Sequence, residues 1–223
     1  MSYYNGPATV TDGLVLCVDA GNPKSCPAST TVLTDLAGSN TFTLSNLTYN
    51  VPGNFSFNGS TSTIISPENS ALNTQTPTVE VWVKTNNTNQ NGFWFEKGQV
   101  NTQYSLFQEG TVIQWRMNIG GVTNLSTTTA TYMSTSQWAQ VVGTYTSGTR
   151  RLYINGVLVN SDGQTGTIAT NTNGSSIGVY GGFNGSRGYY YNGSLAICKV
   201  YNRALSPLEV LQNYSATKTR FGL

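Results

Sequence analysis

The chain has 223 residues, of which 38 % are hydrophobic and only 9 % charged, far below the roughly 25 % charged share of ordinary soluble domains. Its net charge is +2, it has no histidine, and Arg150-Arg151 is its one adjacent basic pair, which excludes the commonest general base and the clustered basic face that nucleic acid requires. No stretch approaches the roughly 18 apolar residues of a membrane span, so neither nucleic acid nor membrane is expected as a partner.

Residues 1–12 read as an irregular N-terminal arm. They lack the charged and apolar regions of a signal peptide, so synthesis in the cytoplasm is expected. A first strand covers 13–19 (GLVLCVD), followed by a Pro/Gly/Ser-rich loop, AGNPKSCPAST. Short strand-forming pieces follow at 41–44, 55–57 and 63–66. The segment 78–84 (TVEVWVK) alternates, with Val79, Val81 and Val83 on one face and Thr78, Glu80 and Trp82 on the other. Further strands are predicted at 93–97, 104–108, 112–118, 137–145, 150–154, 176–180 and 192–201. Asn155-Gly156 between RLYI and VLV marks a two-residue hairpin, because a type I′ turn needs positive φ at both central residues.

One helix is predicted near 206–214. Ser206 is the N-cap, Pro207 fits the first helical position and Glu209 completes a capping box. Its apolar stripe is Leu208, Val210 or Leu211, and Tyr214. Residues 215–223 read as a C-terminal tail. Strands spaced about 8–12 residues apart with Gly- and Asn-rich turns predict an all-β, jelly-roll-like sandwich of two antiparallel sheets. No break in composition divides 13–214, so it reads as one domain.

Cys17, Cys26 and Cys198 have no metal-binding spacing. A Cys17–Cys198 bridge is conceivable if the first and last strands pair; the plainer reading is three small buried hydrophobes. Nine acidic residues are present. Glu96 and Glu109, at strand ends, read as solvated turn chemistry. Asp19 closes the first strand before Gly21-Asn22-Pro23, either as a calcium ligand or as a cap on the turn.

The chain has 13 Tyr, 8 Phe and 4 Trp. Sugars stack their C–H faces on such rings, with amides or guanidinium groups nearby to meet the hydroxyls. Residues 181–192 (GGFNGSRGYYYN) combine both features, making Phe183, Arg187, Tyr189 and Tyr190 candidates for contact with a glycan or a protein partner.

Several segments resemble laminin G-like domains of the concanavalin A-like lectin/glucanase type. They are FSFNGS (55–60), TVEVWVK (78–84), FEKG (95–98), WAQVVGTY (138–145), RLYINGVLV (151–159), and SIGVYGG with YYNGSLAICKVYNRALSPLEVLQNY (176–214). The resemblance implies a jelly-roll sandwich, calcium in some relatives and otherwise no cofactor. It assigns Trp82, Trp138 and Tyr145 to packing. Trp94 and Trp115 would face either the lectin-type concave sheet or the core. The glucanase relatives carry an E-x-D-x-x-E strand that this chain lacks, so an enzyme is not expected.

TDGLVLCVDAGNPKSCP near the start and YNRALSPLEVLQNYSATKTRFGL at the end resemble stand-alone laminin G-like proteins of tailed bacteriophages and other large DNA viruses. That resemblance implies a virion surface protein, a capsid decoration or fibre-associated adhesin, self-associating as a homo-oligomer beside other virion proteins. The alternative is a free carbohydrate-binding module, and a glycoside hydrolase ranks last.

Overall fold

The computed structural model describes residues 7–27, 32–98, 103–128, 132–181 and 187–223. In chain order its strands are β1 (Leu14–Asp19), β2 (Thr43–Ser45), β3 (Thr48–Asn50), β4 (Asn54–Asn58) and β5 (Thr63–Ser66). Next come β6 (Thr78–Thr85), β7 (Gly92–Lys97), β8 (Tyr104–Glu109), β9 (Val112–Asn118) and β10 (Val122–Thr128). The last five are β11 (Ala139–Thr146), β12 (Thr149–Ile154), β13 (Val157–Asp162), β14 (Ser175–Ile177) and β15 (Asn192–Tyr201). One α-helix, α1 (Pro207–Thr217), follows.

The strands form two antiparallel sheets packed as a sandwich. The eight-stranded sheet runs β13-β12-β11-β6-β15-β4-β3, with β1 also paired to β15. The seven-stranded sheet runs β10-β9-β8-β7-β14-β5-β2. Val79, Val81 and Val83 of β6 enter the core, together with Trp94, Phe95, Leu106, Trp115, Val141 and Leu152. Burial of such side chains contributes about 1.5–3 kcal/mol each and holds the two sheets together.

Glu80 and Trp82 stand on the outer face of the same strand, as their alternation predicts, yet both are fully buried. The chain's own C-terminal segment covers them. The capping box of α1 forms as read: the Ser206 hydroxyl accepts from Glu209 N–H, and the Glu209 carboxylate accepts from Ser206 N–H at 2.8 Å. Arg203, 2.6 Å from the same carboxylate, is the main cause of a Glu209 pKa held down at about 2.

Two details differ from the sequence reading. The inward stripe of α1 is Val210 and Asn213, while Leu208 stays exposed. Residues 215–223 are no free tail, because the helix runs to Thr217 and a 3-10 turn continues it over Lys218–Phe221. Phe221 stacks on Trp82 with centroids 4.2 Å apart and also meets Trp138. The described part of the N-terminal arm docks beside the helix: Val10 N–H donates to Asn213 Oδ1 at 2.8 Å, and Gln212 donates to the Ala8 carbonyl. Arm residues 1–6 lie outside the described residues.

All three cysteines are free and buried. Cys198 belongs to the core, whereas Cys17 stands opposite Lys199 on the other face. Alternation along paired strands thus separates the two thiols. Burial pushes the Cys17 thiol up to about 11.

Candidate functional site

The outer face of the seven-stranded sheet carries an aromatic hollow. Strand register sets Phe93 opposite Phe107, and Phe107 opposite Gln114. The next outward row is Glu96, Ser105 and Arg116. The rings of Phe93 and Phe107 stack at 4.2 Å and 8°. The Arg116 guanidinium lies over Phe107, 4.3 Å from its centroid, and is 3.8 Å from the Glu109 carboxylate.

The remaining wall comes from the segment between β14 and β15. Tyr180 and Gly188 form an isolated antiparallel bridge. Tyr189 adopts a left-handed φ of 49° and accepts a backbone bond from Phe93 N–H at 3.2 Å. Tyr180 and Tyr189 then stand 5.0 and 6.2 Å from the Phe93 ring. Asn91, Gln108 and Glu109 complete a hollow of about 290 Å³. Tyr189 is 52 % exposed at its mouth.

Glu96 corrects the expectation of a solvated turn residue. It is fully buried, accepts Gly181 N–H at 2.7 Å and lies 3.4 Å from the Ser176 hydroxyl. It therefore fixes the root of the tyrosine-bearing segment. Burial, reinforced by Glu96 and opposed by Arg116, raises the Tyr180 phenol above its ordinary pKa. Beside Phe107 and Arg116, the buried Ser105 hydroxyl has no hydrogen-bond partner, and neither does the Gln103 side-chain amide two residues away. Polar groups left in that state cost stability.

Of the residues singled out in the sequence, Tyr189 lines the hollow; Arg187 and Tyr190 flank it without lining it. Phe183 lies outside the described residues. Trp94 and Trp115 are corrected: both are fully buried in the core, out of reach of any ligand. The register shifts between Phe93 and Phe95. The irregularity sends Trp94 and Phe95 both inward and leaves Phe93 outside. Trp115 donates its indole N–H across the core to the Thr144 carbonyl at 3.1 Å.

Asp19 accepts from Gly21 N–H at 2.8 Å and from Arg220 at 2.6 Å. It is a turn cap tied to a guanidinium, which a cation would have to displace. Among the described residues, no three His, Cys, Asp or Glu side chains gather in a way that could hold a metal. All nine acidic residues are described, and Glu109 is the one carboxylate that lines the hollow. Glycoside hydrolysis uses a pair.

Phe93, Phe107, Arg116 and Tyr180 were not singled out in the sequence. The alternation QWRM in β9, with Trp115 and Met117 inward, does set Gln114 and Arg116 outward. Only the cross-strand register adds the phenylalanines.

Comparison with known proteins agrees with this architecture. The binding domain of botulinum neurotoxin DC in complex with rat synaptotagmin II aligns with a TM-score of 0.71 at 13 % identity, over 92 % of this chain and 52 % of that one. The same toxin's binding domain in complex with SialylT gives 0.70 at 15 %, over 92 % and 51 %. The receptor binding domain of the C/D mosaic serotype gives 0.70 at 17 %, again over 92 % and 51 %. The chain spans about half the length of these structures, and at such identities the likeness is one of fold alone. No curated protein matches the sequence. Residues 58–211, well over half of the chain, match a laminin G-like family model described as the concanavalin A-like lectin/glucanases superfamily, and the chain belongs to that superfamily.

Proposed function

We propose that this protein is a non-catalytic lectin-like module that seats a glycan in the hollow formed by Phe93, Phe107, Arg116, Tyr180 and Tyr189. The observation that carries the reading is the convergence of four aromatic rings and a guanidinium on one outer sheet face. Sugar C–H faces stack on the tyrosine rings, and Asn91, Arg116 and Glu109 meet the hydroxyls. Structures of the same fold in complex with SialylT and with synaptotagmin are consistent with a binding role.

A glycan array followed by calorimetry tests this reading. Tyr189→Ala and Arg116→Ala should each weaken binding about tenfold or more, the equivalent of ~1.5 kcal/mol. Tyr190→Ala should leave affinity unchanged. No glycan signal from the wild type at millimolar sugar would remove the proposal.

The setting we propose is a virion surface, where the protein serves as a capsid decoration or fibre-associated adhesin. The resemblance of both chain ends to viral laminin G-like proteins supports it. Assembled particles should carry the protein through density-gradient purification; recovery only in the free fraction of the lysate would rule this setting out.

A further inference from the structure

The outer face of the eight-stranded sheet, away from the hollow, holds three buried polar groups under α1. Register pairs Lys199 of β15 with Glu80 of β6, and sets Cys17 of β1 on the other side of Lys199. Tyr201, two residues on from Lys199, shares that face. Asn213 of α1 comes down onto this row from above. Glu80 and Asn213 are fully buried and Lys199 is 5 % exposed. Val10, Val142, Tyr153 and Val210 cluster beside them and keep water out.

Each group has a different set of contacts. The Asn213 side-chain carbonyl accepts from Val10 N–H at 2.8 Å, which draws electrons from Cγ. Its Nδ2 donates to Glu80 Oε2 at 2.7 Å and to the Tyr201 hydroxyl at 2.9 Å. The second oxygen of the same carboxylate, Oε1, lies 3.7 Å from Lys199 Nζ. That nitrogen is buried and has no hydrogen-bond partner. An ion pair kept only for stability satisfies its ammonium with hydrogen bonds. This one leaves it bare at the end of a flexible four-carbon stem. One carboxylate thus reaches both a nucleophile and a leaving group, beside a polarised carbonyl.

From this arrangement we infer that Lys199 and Asn213 are joined by an isopeptide bond that the folded chain forms by itself. Glu80 takes a proton from the Lys199 ammonium, and the free amine attacks Cγ of Asn213. The Nζ–Cγ bond forms and the Cγ–Nδ2 bond breaks. Glu80 hands its proton to the departing Nδ2, which leaves as ammonia, and accepts the second proton that Nζ sheds. The products are a secondary amide, ammonia and a neutral Glu80 carboxyl. Two buried charges vanish, and no oxidant or cofactor is consumed. The fold supplies the proximity and excludes the water that would compete by hydrolysis. The bond staples the middle of α1 to β15 and closes the chain from 199 to 213 into a ring that unfolding does not open.

The intact mass of the purified full chain, measured after denaturation, tests the inference. The expected mass is about 17 Da below that of the sequence, the weight of one ammonia. Trypsin should fail to cut after Lys199, and should release residues 188–203 bound to residues 204–218 as one branched species. Glu80→Gln, which keeps the packing but not the proton carrier, should retain the full mass and the ordinary cut after Lys199. Three results overturn the assignment: a folded wild type of full mass after prolonged incubation, the same loss located elsewhere in the digest, or a Glu80→Gln variant linked as fully as the wild type. Should Glu80→Gln not fold, the wild-type digest decides alone. Sugar binding does not enter these masses, so the result stands apart from the fate of the hollow.

Discussion

Glu80→Ala is expected to destabilise the protein by about 3–5 kcal/mol, read as a shift of the urea midpoint. Glu80 is fully buried on the outer face of β6 beneath α1. It accepts from Asn213 Nδ2 at 2.7 Å and Gln140 Nε2 at 3.0 Å, and lies 3.7 Å from Lys199 Nζ. The Lys199 side chain is only 6 % exposed, and its ammonium has no hydrogen bond of its own. Without Glu80 that ammonium is stranded, the Gln140 amide loses its acceptor, and Asn213 Nδ2 keeps only the Tyr201 hydroxyl. The double change Glu80→Met/Lys199→Met should restore much of the loss, because it removes both buried charges together. A cost below about 1 kcal/mol for the single change would mean that the network does not hold the helix to the sheet.

Gly178→Ala should cost a similar amount, about 3–5 kcal/mol, by combining backbone strain with overpacking. Gly178 has φ of +85°, and an added Cβ would stand 2.1 Å from Phe57 Cε1. Phe57 is 1 % exposed and packed in the core, with no room to retreat. Gly178 also separates β14 from Tyr180, so the variant that does fold should bind glycan less tightly as Tyr180 shifts. Gly188→Ala is the matched control. Its Cβ meets nothing within 4 Å and its φ lies outside the left-handed range, so it should change stability by no more than about 0.5 kcal/mol. Equal thermal midpoints for the two variants would refute the clash.

The long, alternating strands were legible in the sequence. β6, β9 and β15 were placed within one residue at each end because their side chains divide between two faces. β3 and β10 were not. β3 has three residues, and VTNLSTT in β10 offers only Val122 and Leu125 to mark a face. Both strands owe their existence to neighbours. The helix start was legible because capping is local chemistry. Its buried face was not, because Asn213 is drawn inward by Glu80, Tyr201 and Val10, distant in sequence.

The site followed the same division. Tyr189 stood out by composition alone. Phe93 and Phe107 stayed hidden, because the irregularity at Trp94 breaks the alternation and the pair exists only through β7–β8 register. Trp94 and Trp115 show the converse: a large ring in a strand says nothing of which face it serves until the register is known.

The described start of the chain, the helix and Phe221 all lie against the eight-stranded sheet, while the hollow opens on the other sheet. The molecule therefore has a back and a front. If the module is held by its back, the proposed binding face is left open to solution, and several copies on one support would act in concert on a densely glycosylated surface.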